Sequence, residues 1–261
     1  MYTKKKAREA EPGIDEAVVD PNEEEFDDGD TINEGKVEDF TTFESMEFIK
    51  FSVPIFQKDN FGGLSSGALK LWLILSTRLR PDGRVAIEIK DVPKYARKFK
   101  QDPKTTKKAF EELLKYTFTV GKGKNTRTNC VLKIEHIDNE VEYLKIPYGS
   151  GIGTFDGTGK EYAYPQFIKW QRERLEALLM TSGGSMLATL LAIGIHVNSM
   201  GIAFPAWKTI AKIQGVSVSV IGDNLKMLED ADLIKRKLVP GKTQFDHNEY
   251  HLDAKTGITF C

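Results

Sequence analysis

The chain has 261 residues and a mass of 29.4 kDa, room for one large or two small domains with a sizeable buried core. Hydrophobic residues make up 40% and charged residues 29%; no run of 18 apolar residues and no apolar N-terminal segment occurs, so neither a membrane span nor a secretory signal is expected. Cys130 and Cys261 are the only cysteines, which excludes a disulfide framework and a cysteine-only metal site and fits a reducing, cytoplasmic compartment.

The formal net charge of -1 hides an asymmetry. Residues 1–44 carry 5 Lys/Arg against 15 Asp/Glu, a net -10, whereas residues 45–148 carry 20 against 12, a net +8, and residues 149–261 carry 12 against 11. The positive field belongs to the first half of the folded region, and a basic globular region favours a polyanionic partner. Residues 1–44, with the run Asn22-Glu23-Glu24-Glu25-Phe26-Asp27-Asp28-Gly29-Asp30, have too few aliphatic side chains to offset the entropy of ordering and are expected to form a disordered acidic arm. Opposite charge also suggests that this arm lies across the basic face of residues 90–127 and competes with an anionic ligand.

From Met46 the composition changes. The stretch Phe48 to Phe56 reads as a strand, with Pro54 confining it to an edge or an end. A helix is predicted after Leu64, capped by Ser65 or Ser66 and ended by Arg80-Pro81-Asp82-Gly83. A short strand, Arg84 to Glu88, and a helix over Val92 to Phe99 follow. Asp102-Pro103 opens the next helix, an acidic cap with Pro at the first helical position, which should bury Thr106, Phe110, Leu113 and Leu114. Two strands, Thr117 to Val120 and Asn129 to Ile137, are expected as a hairpin around residues 121–128. This order of helix, strand, helix, helix and hairpin is that of a winged helix.

Gly149 to Gly159 reads as a linker. Beyond it the spacing predicts helices over Pro165 to Met180, Ser185 to Val197 and Ala206 to Ile213, with a short strand at Gly201 to Phe204. A further helix is capped by Ser217 and carries Ile221, Leu225 and Leu228, and a hairpin runs from Leu233-Ile234 back to Glu249 to Leu252. Ala96 and Ala211, Asp102 and Ser217, Thr106 and Ile221, Phe110 and Leu225, and Leu113 and Leu228 are each 115 positions apart, which points to two copies of one architecture. The expected organisation is α+β: a disordered acidic N-terminal arm (1–44), then tandem winged helix-turn-helix domains at 45–148 and 165–261 joined by a Gly-rich linker (149–164).

Residues 207–234 resemble bacterial winged helix-turn-helix regulators: Ala211 allows close helix approach, Gly215 a sharp turn, Ser217 the cap, and Leu233-Ile234 closes the core. A helix that enters a major groove needs an exposed N-terminal face of short polar or basic side chains. Lys104, Thr105, Lys107 and Lys108 meet that need, with Lys122, Lys124 and Arg127 in the expected wing tip to grip flanking phosphate or minor groove. In the second copy the candidates are Ser217, Ser219, Asn224 and Lys226, beside Val220 and Asp223; the carboxylate is unfavourable against phosphate, so DNA contact and a protein interface stand level there.

Residues 48–146, through Phe51-Ser52-Val53-Pro54-Ile55-Phe56, Phe61 to Trp72 and the Lys104 to Leu114 helix, are similar to the N-terminal winged-helix domain of replication initiators from plasmids and phages of low-GC Gram-positive bacteria. The resemblance implies double-stranded DNA as ligand, repeated origin sequences as site, binding as monomer or homodimer, and host replication proteins as further partners. The long acidic arm and a second winged helix, in place of a helical helicase-recruiting domain, depart from that pattern. A transcriptional repressor or antirepressor, or a protein-interaction scaffold, would share most of these features.

Catalytic patterns fail on spacing. Gly151 to Glu161 lacks the Gly that a phosphate loop needs at position 154, where Thr stands, and Glu161 replaces the Mg-binding hydroxyl. His247 and His251 fall in an expected strand, where residues four apart are separated by about 13 Å. No His pair one residue apart exists for a rolling-circle nickase. A non-enzymatic protein without metal or cofactor, and without a membrane partner, is the expectation.

Overall fold

The computed structural model describes residues 47–52, 63–80, 83–120, 127–137, 141–146, 167–198, 200–240 and 247–260. The expected acidic arm, the Gly-rich linker, Pro54, Lys122 and Lys124 lie outside these residues. The described chain is mixed α+β.

Two helices form the centre: α1 (Ser66–Ser76) and α5 (Gly184–Gly194). Apart from Lys70 on α1, both are apolar or small on every side, the pattern of a helix surrounded by protein, and Leu71 to Leu75 and Met186 to Gly194 are buried throughout. Ser65 caps α1, its hydroxyl accepting from the Ala68 amide at 3.2 Å. Helix α2 (Val92–Lys98), which follows a 3-10 turn at Ile89–Asp91, packs against α3 (Pro103–Lys115), and α3 packs against α1. Against α5 pack α6 (Trp207–Gln214) and α7 (Val218–Asp230). Residues 43–261 form one compact unit.

A three-stranded antiparallel sheet joins the two halves. Its order is β1 (Phe48–Ser52), β6 (Phe167–Gln171) and β10 (Ile258–Phe260), with Phe51 opposite Ile168 and Ile258 opposite Trp170. Ile49, Phe51, Ile168 and Trp170 are fully buried; the Phe51 ring lies 5.2 Å from Trp72 and 6.2 Å from Trp170. The Trp170 indole donates to the Thr256 carbonyl at 2.7 Å. This corrects the helix expected over residues 165–180: the segment is β6 followed by α4 (Arg172–Thr181). Ile168 and Trp170 alternate inward with period two, and the partner strand lies more than a hundred residues upstream, where no local pattern reveals it.

Several elements recur in the two halves at a nearly constant offset. Helices α1 and α5 are offset by 118 positions, as are Gly83 (φ 84°) and Gly201 (φ 75°), the left-handed residues that begin the next strand. In the second half that strand is β7 (Ile202–Ala203), paired with β9 (His247–Leu252), which pairs in turn with β8 (Ile234–Val239). In the first half the counterpart is only a bridge of Arg84 with Lys145, in β5 (Val141–Lys145), and β5 pairs with β4 (Lys133–Ile137). Helices α3 and α7 are both 13 residues long and offset by 115. The turns before them coincide too: Lys100 (φ 58°) and Gly215 (φ 65°) are both left-handed and 115 apart.

One element breaks the repeat and corrects the expected hairpin. The strand predicted over 129–137 is interrupted at the buried pair Val131 and Leu132. Its first part, β3 (Arg127–Cys130), pairs with β2 (Thr117–Val120), and its second part is β4. Hairpin β2–β3 is therefore inserted between α3 and the hairpin β4–β5, and α7 leads into β8 with no such insertion.

Candidate nucleic-acid interface

Helix α3 is fixed on three sides. The Asp102 carboxylate accepts from the Thr105 amide at 2.8 Å, and hydrogen bonding by the Thr105 side chain first, then by this amide, holds its pKa below the usual carboxylate range. Pro103 occupies the first turn, where its missing N–H costs nothing. The inner face buries Thr106, Ala109 and Leu113, with Phe110 and Leu114 partly buried against the core. The Thr106 hydroxyl donates back to the Asp102 carbonyl at 2.9 Å. A flank is closed by the start of α1: Glu112 accepts from both the amide and the hydroxyl of Ser65 at 2.6 Å, and Gln101 donates to the Gly67 carbonyl at 3.1 Å.

What remains of α3 faces solvent. Lys104, Thr105, Lys107 and Lys108 are all exposed, and the lysines enter no ion pair among the described residues. Thr105 has a second job, since its methyl sits against Gly67, where an added Cβ would lie 3.0 Å from it. Lys104, Lys108, Glu111 and Lys115 follow one another at spacings of four, three and four, a single row along the exposed face. Lys115, absent from the sequence-based set, was legible from that spacing. Lys94, Arg97, Lys98 and Lys100, on or just after α2, are exposed as well.

Of the expected wing-tip cations, Lys122 and Lys124 lie outside the described residues. Arg127 begins β3 opposite Val120, in the inserted hairpin rather than in the one that continues the sheet.

The second half presents a different surface. Ser217 caps α7 through a 3.5 Å contact from the Val220 amide and shares a 2.8 Å hydrogen bond with the Ser219 hydroxyl. Ser217, Ser219, Asp223 and Lys226 are exposed. Asn224 is the correction: it is 6% exposed, and its amide donates to the Ser185 carbonyl at 3.2 Å, the Ser185 hydroxyl at 2.9 Å and the Thr189 hydroxyl at 2.9 Å. Gln214 completes this buried network with Thr189. Asn224 holds α7 to α5 and has no side-chain donor left for a surface ligand. The signal was its place three residues after Ile221 and four before Leu228, on the apolar stripe.

Beneath the second hairpin, Arg236 forms a bidentate pair with Glu229, with both N···O distances 3.1 Å, and stacks over Trp207 at 5.3 Å. Trp207 in turn lies against Gly222, where an added Cβ would stand 3.3 Å from the ring. Among the described residues no group of three or more His, Cys, Asp or Glu side chains is placed to hold a metal ion, and no helix is long and apolar enough to cross a membrane. Comparison of the chain with protein-family models, with curated proteins and with solved structures finds no match in any of the three.

Proposed function

We propose that the chain is a non-enzymatic, sequence-specific double-stranded DNA-binding protein built from two winged helix-turn-helix units, with α3 as the helix that enters a major groove. The observation that carries this reading is the exposed face of Lys104, Lys107, Lys108 and Lys115, interrupted only by Glu111 and Thr105, on a helix whose other sides are capped, buried or sealed. A rigid helix with cations on its free face delivers them to phosphates at little entropic cost, and counterion release then supplies affinity. The repeated helix, left-handed turn, cap and hairpin support the winged-helix assignment of each unit.

Among duplex-binding proteins, a plasmid or phage replication initiator is favoured by the resemblance of residues 48–146. Double-stranded DNA is its ligand, with host replication proteins and a second copy of the chain as further partners. Footprinting on DNA of the source genome tests it: protection of repeated sites in an origin supports the initiator, and protection confined to a promoter sinks it in favour of a transcriptional regulator. A gel shift with random duplex tests DNA binding itself; no retardation at low salt overturns the proposal.

A second reading applies to the second unit alone. Val216, Val218 and Met227 are 36%, 40% and 51% exposed on or beside α7, next to Asp223. That mixture suits a protein partner better than a phosphate backbone.

A further inference from the structure

The sheet of the first unit turns one face to the core, through Leu132, Ile134, Leu144 and Val85, and the other to solvent. On the solvent face Lys133 stands directly opposite Lys145, and Glu135 opposite Tyr143. Glu135 accepts from three donors: Lys133 at 3.0 Å, Lys145 at 3.1 Å and the Tyr143 hydroxyl at 2.9 Å. The Arg84 guanidinium lies 4.8 Å over the Tyr143 ring.

Two features separate this cluster from ordinary surface charge. Placing two lysines opposite each other across an antiparallel pair is unfavourable in itself, and exposed ion pairs return little stability. The fold does not demand the cluster either. In the second unit, where Lys235 pairs with His251 and Lys237 with Glu249, the position equivalent to Tyr143 is Glu249, that of Lys145 is His251 and that of Arg84 is Ile202.

We infer that this outer face, Arg84, Lys133, Tyr143 and Lys145, is a binding platform for single-stranded nucleic acid, a site separate from the α3 surface. An aromatic ring interleaved with cations on an open sheet is the chemistry such ligands require: a base stacks on the Tyr143–Arg84 pair, and the flanking phosphates meet the two ammonium groups. Each ammonium has three N–H donors, and the bond to Glu135 uses one. Glu135 and the hydroxyl bond pre-set the ring and both lysines, which lowers the cost of ordering them on binding.

The test is fluorescence anisotropy of the full chain with labelled oligothymidylate of about 12 nucleotides, within the usual site size. The expected results are binding that weakens with salt, a loss of about tenfold or more for Tyr143→Ala, and a much smaller loss for Tyr143→Phe, which keeps the ring but not the hydroxyl bond. Lys133→Ala and Lys145→Ala should each weaken binding and lower the salt slope by about 1. Lys107→Ala should leave the single strand untouched while weakening duplex, so the two sites fail independently. Ultraviolet cross-linking of the unmodified protein to the same oligonucleotide should label Tyr143. Absence of binding by the wild type, wild-type affinity in Tyr143→Ala, an equal loss in Tyr143→Phe, or cross-links only at α3 would each overturn the inference.

Discussion

Gly184, the first residue of α5, sits against the backbone carbonyl of Ser66, the first residue of α1, so closely that a methyl group on Gly184 would collide with the Ser66 oxygen. The two central helices of the repeat thus meet backbone to backbone at their N-termini, and Lys70 ties the same junction by donating to the Ser182 carbonyl at 3.1 Å. Because a backbone atom cannot rotate away, Gly184→Ala should destabilise the chain by about 3 kcal/mol or more. The neighbouring Gly183, with φ -74°, ψ 158° and nothing within 4 Å of its added Cβ, should accept Ala within about 0.5 kcal/mol. Urea unfolding of the two variants measures the contrast.

Lys100 and Gly215 occupy the same left-handed turn in the two units, but only glycine does so without steric cost. Lys100→Gly should therefore be neutral to stabilising, by up to about 1 kcal/mol, and Gly215→Ala destabilising by about 1 kcal/mol. Opposite signs in the unfolding midpoints are the expected outcome.

Asn224 and Ala109 are equivalent by the 115-residue offset, yet one anchors a buried polar network and the other is apolar. Asn224→Ala strips the partners from Ser185 and Thr189 and should cost about 1–3 kcal/mol. Because the side chain is interior, duplex affinity measured well below the unfolding transition should stay at the wild-type value.

The three donors around Glu135 give the clearest pH dependence. Hydrogen bonding by Lys133 comes first among the causes that lower its pKa from 4.5 to about 2. A carboxyl depressed in the folded state contributes stability in full above its unfolded value, and loses that contribution as pH falls from about 4.5 towards 2. The carboxylate lies on the solvent face of the sheet with 27% of its side chain exposed, so screening should keep the effect to about 1 kcal/mol. Urea titrations at roughly pH 5 and pH 3 should show a smaller acid loss for Glu135→Gln than for the wild type.

The helices with strong local signals were legible in the sequence. Asp102-Pro103 and Ser217 announce α3 and α7 through caps that need only their own first turn, and the apolar stripe fixes which face turns inward. What escaped was set by distant partners. Strand β6 is held by Phe48–Ser52 on one edge and Ile258–Phe260 on the other, and β10 gives almost no pattern of its own in three residues. The break at Val131 and Leu132 was invisible because two buried apolar residues continue a strand pattern as well as they end one. At the site, the exposed lysines of α3 followed from helical spacing, whereas Asn224 misled because its partners, Ser185 and Thr189, come from another helix, α5. The cluster around Glu135 depends on cross-strand register, which no local spacing encodes.

The salt dependence of duplex binding separates an α3 that grips phosphates from one that is merely solvated. With four to six phosphates neutralised by α3 and its neighbours, log affinity against log salt should fall with a slope of roughly -4 to -5. Replacing Lys104, Lys107 and Lys108 by Ala should flatten the slope by about 3, while Lys235→Ala, on the second hairpin, should change it little. Arg236 is unsuited as a control because its pairing with Glu229 is structural. A flat salt response in the wild type, or equal losses at α3 and at Lys235, would contradict the account.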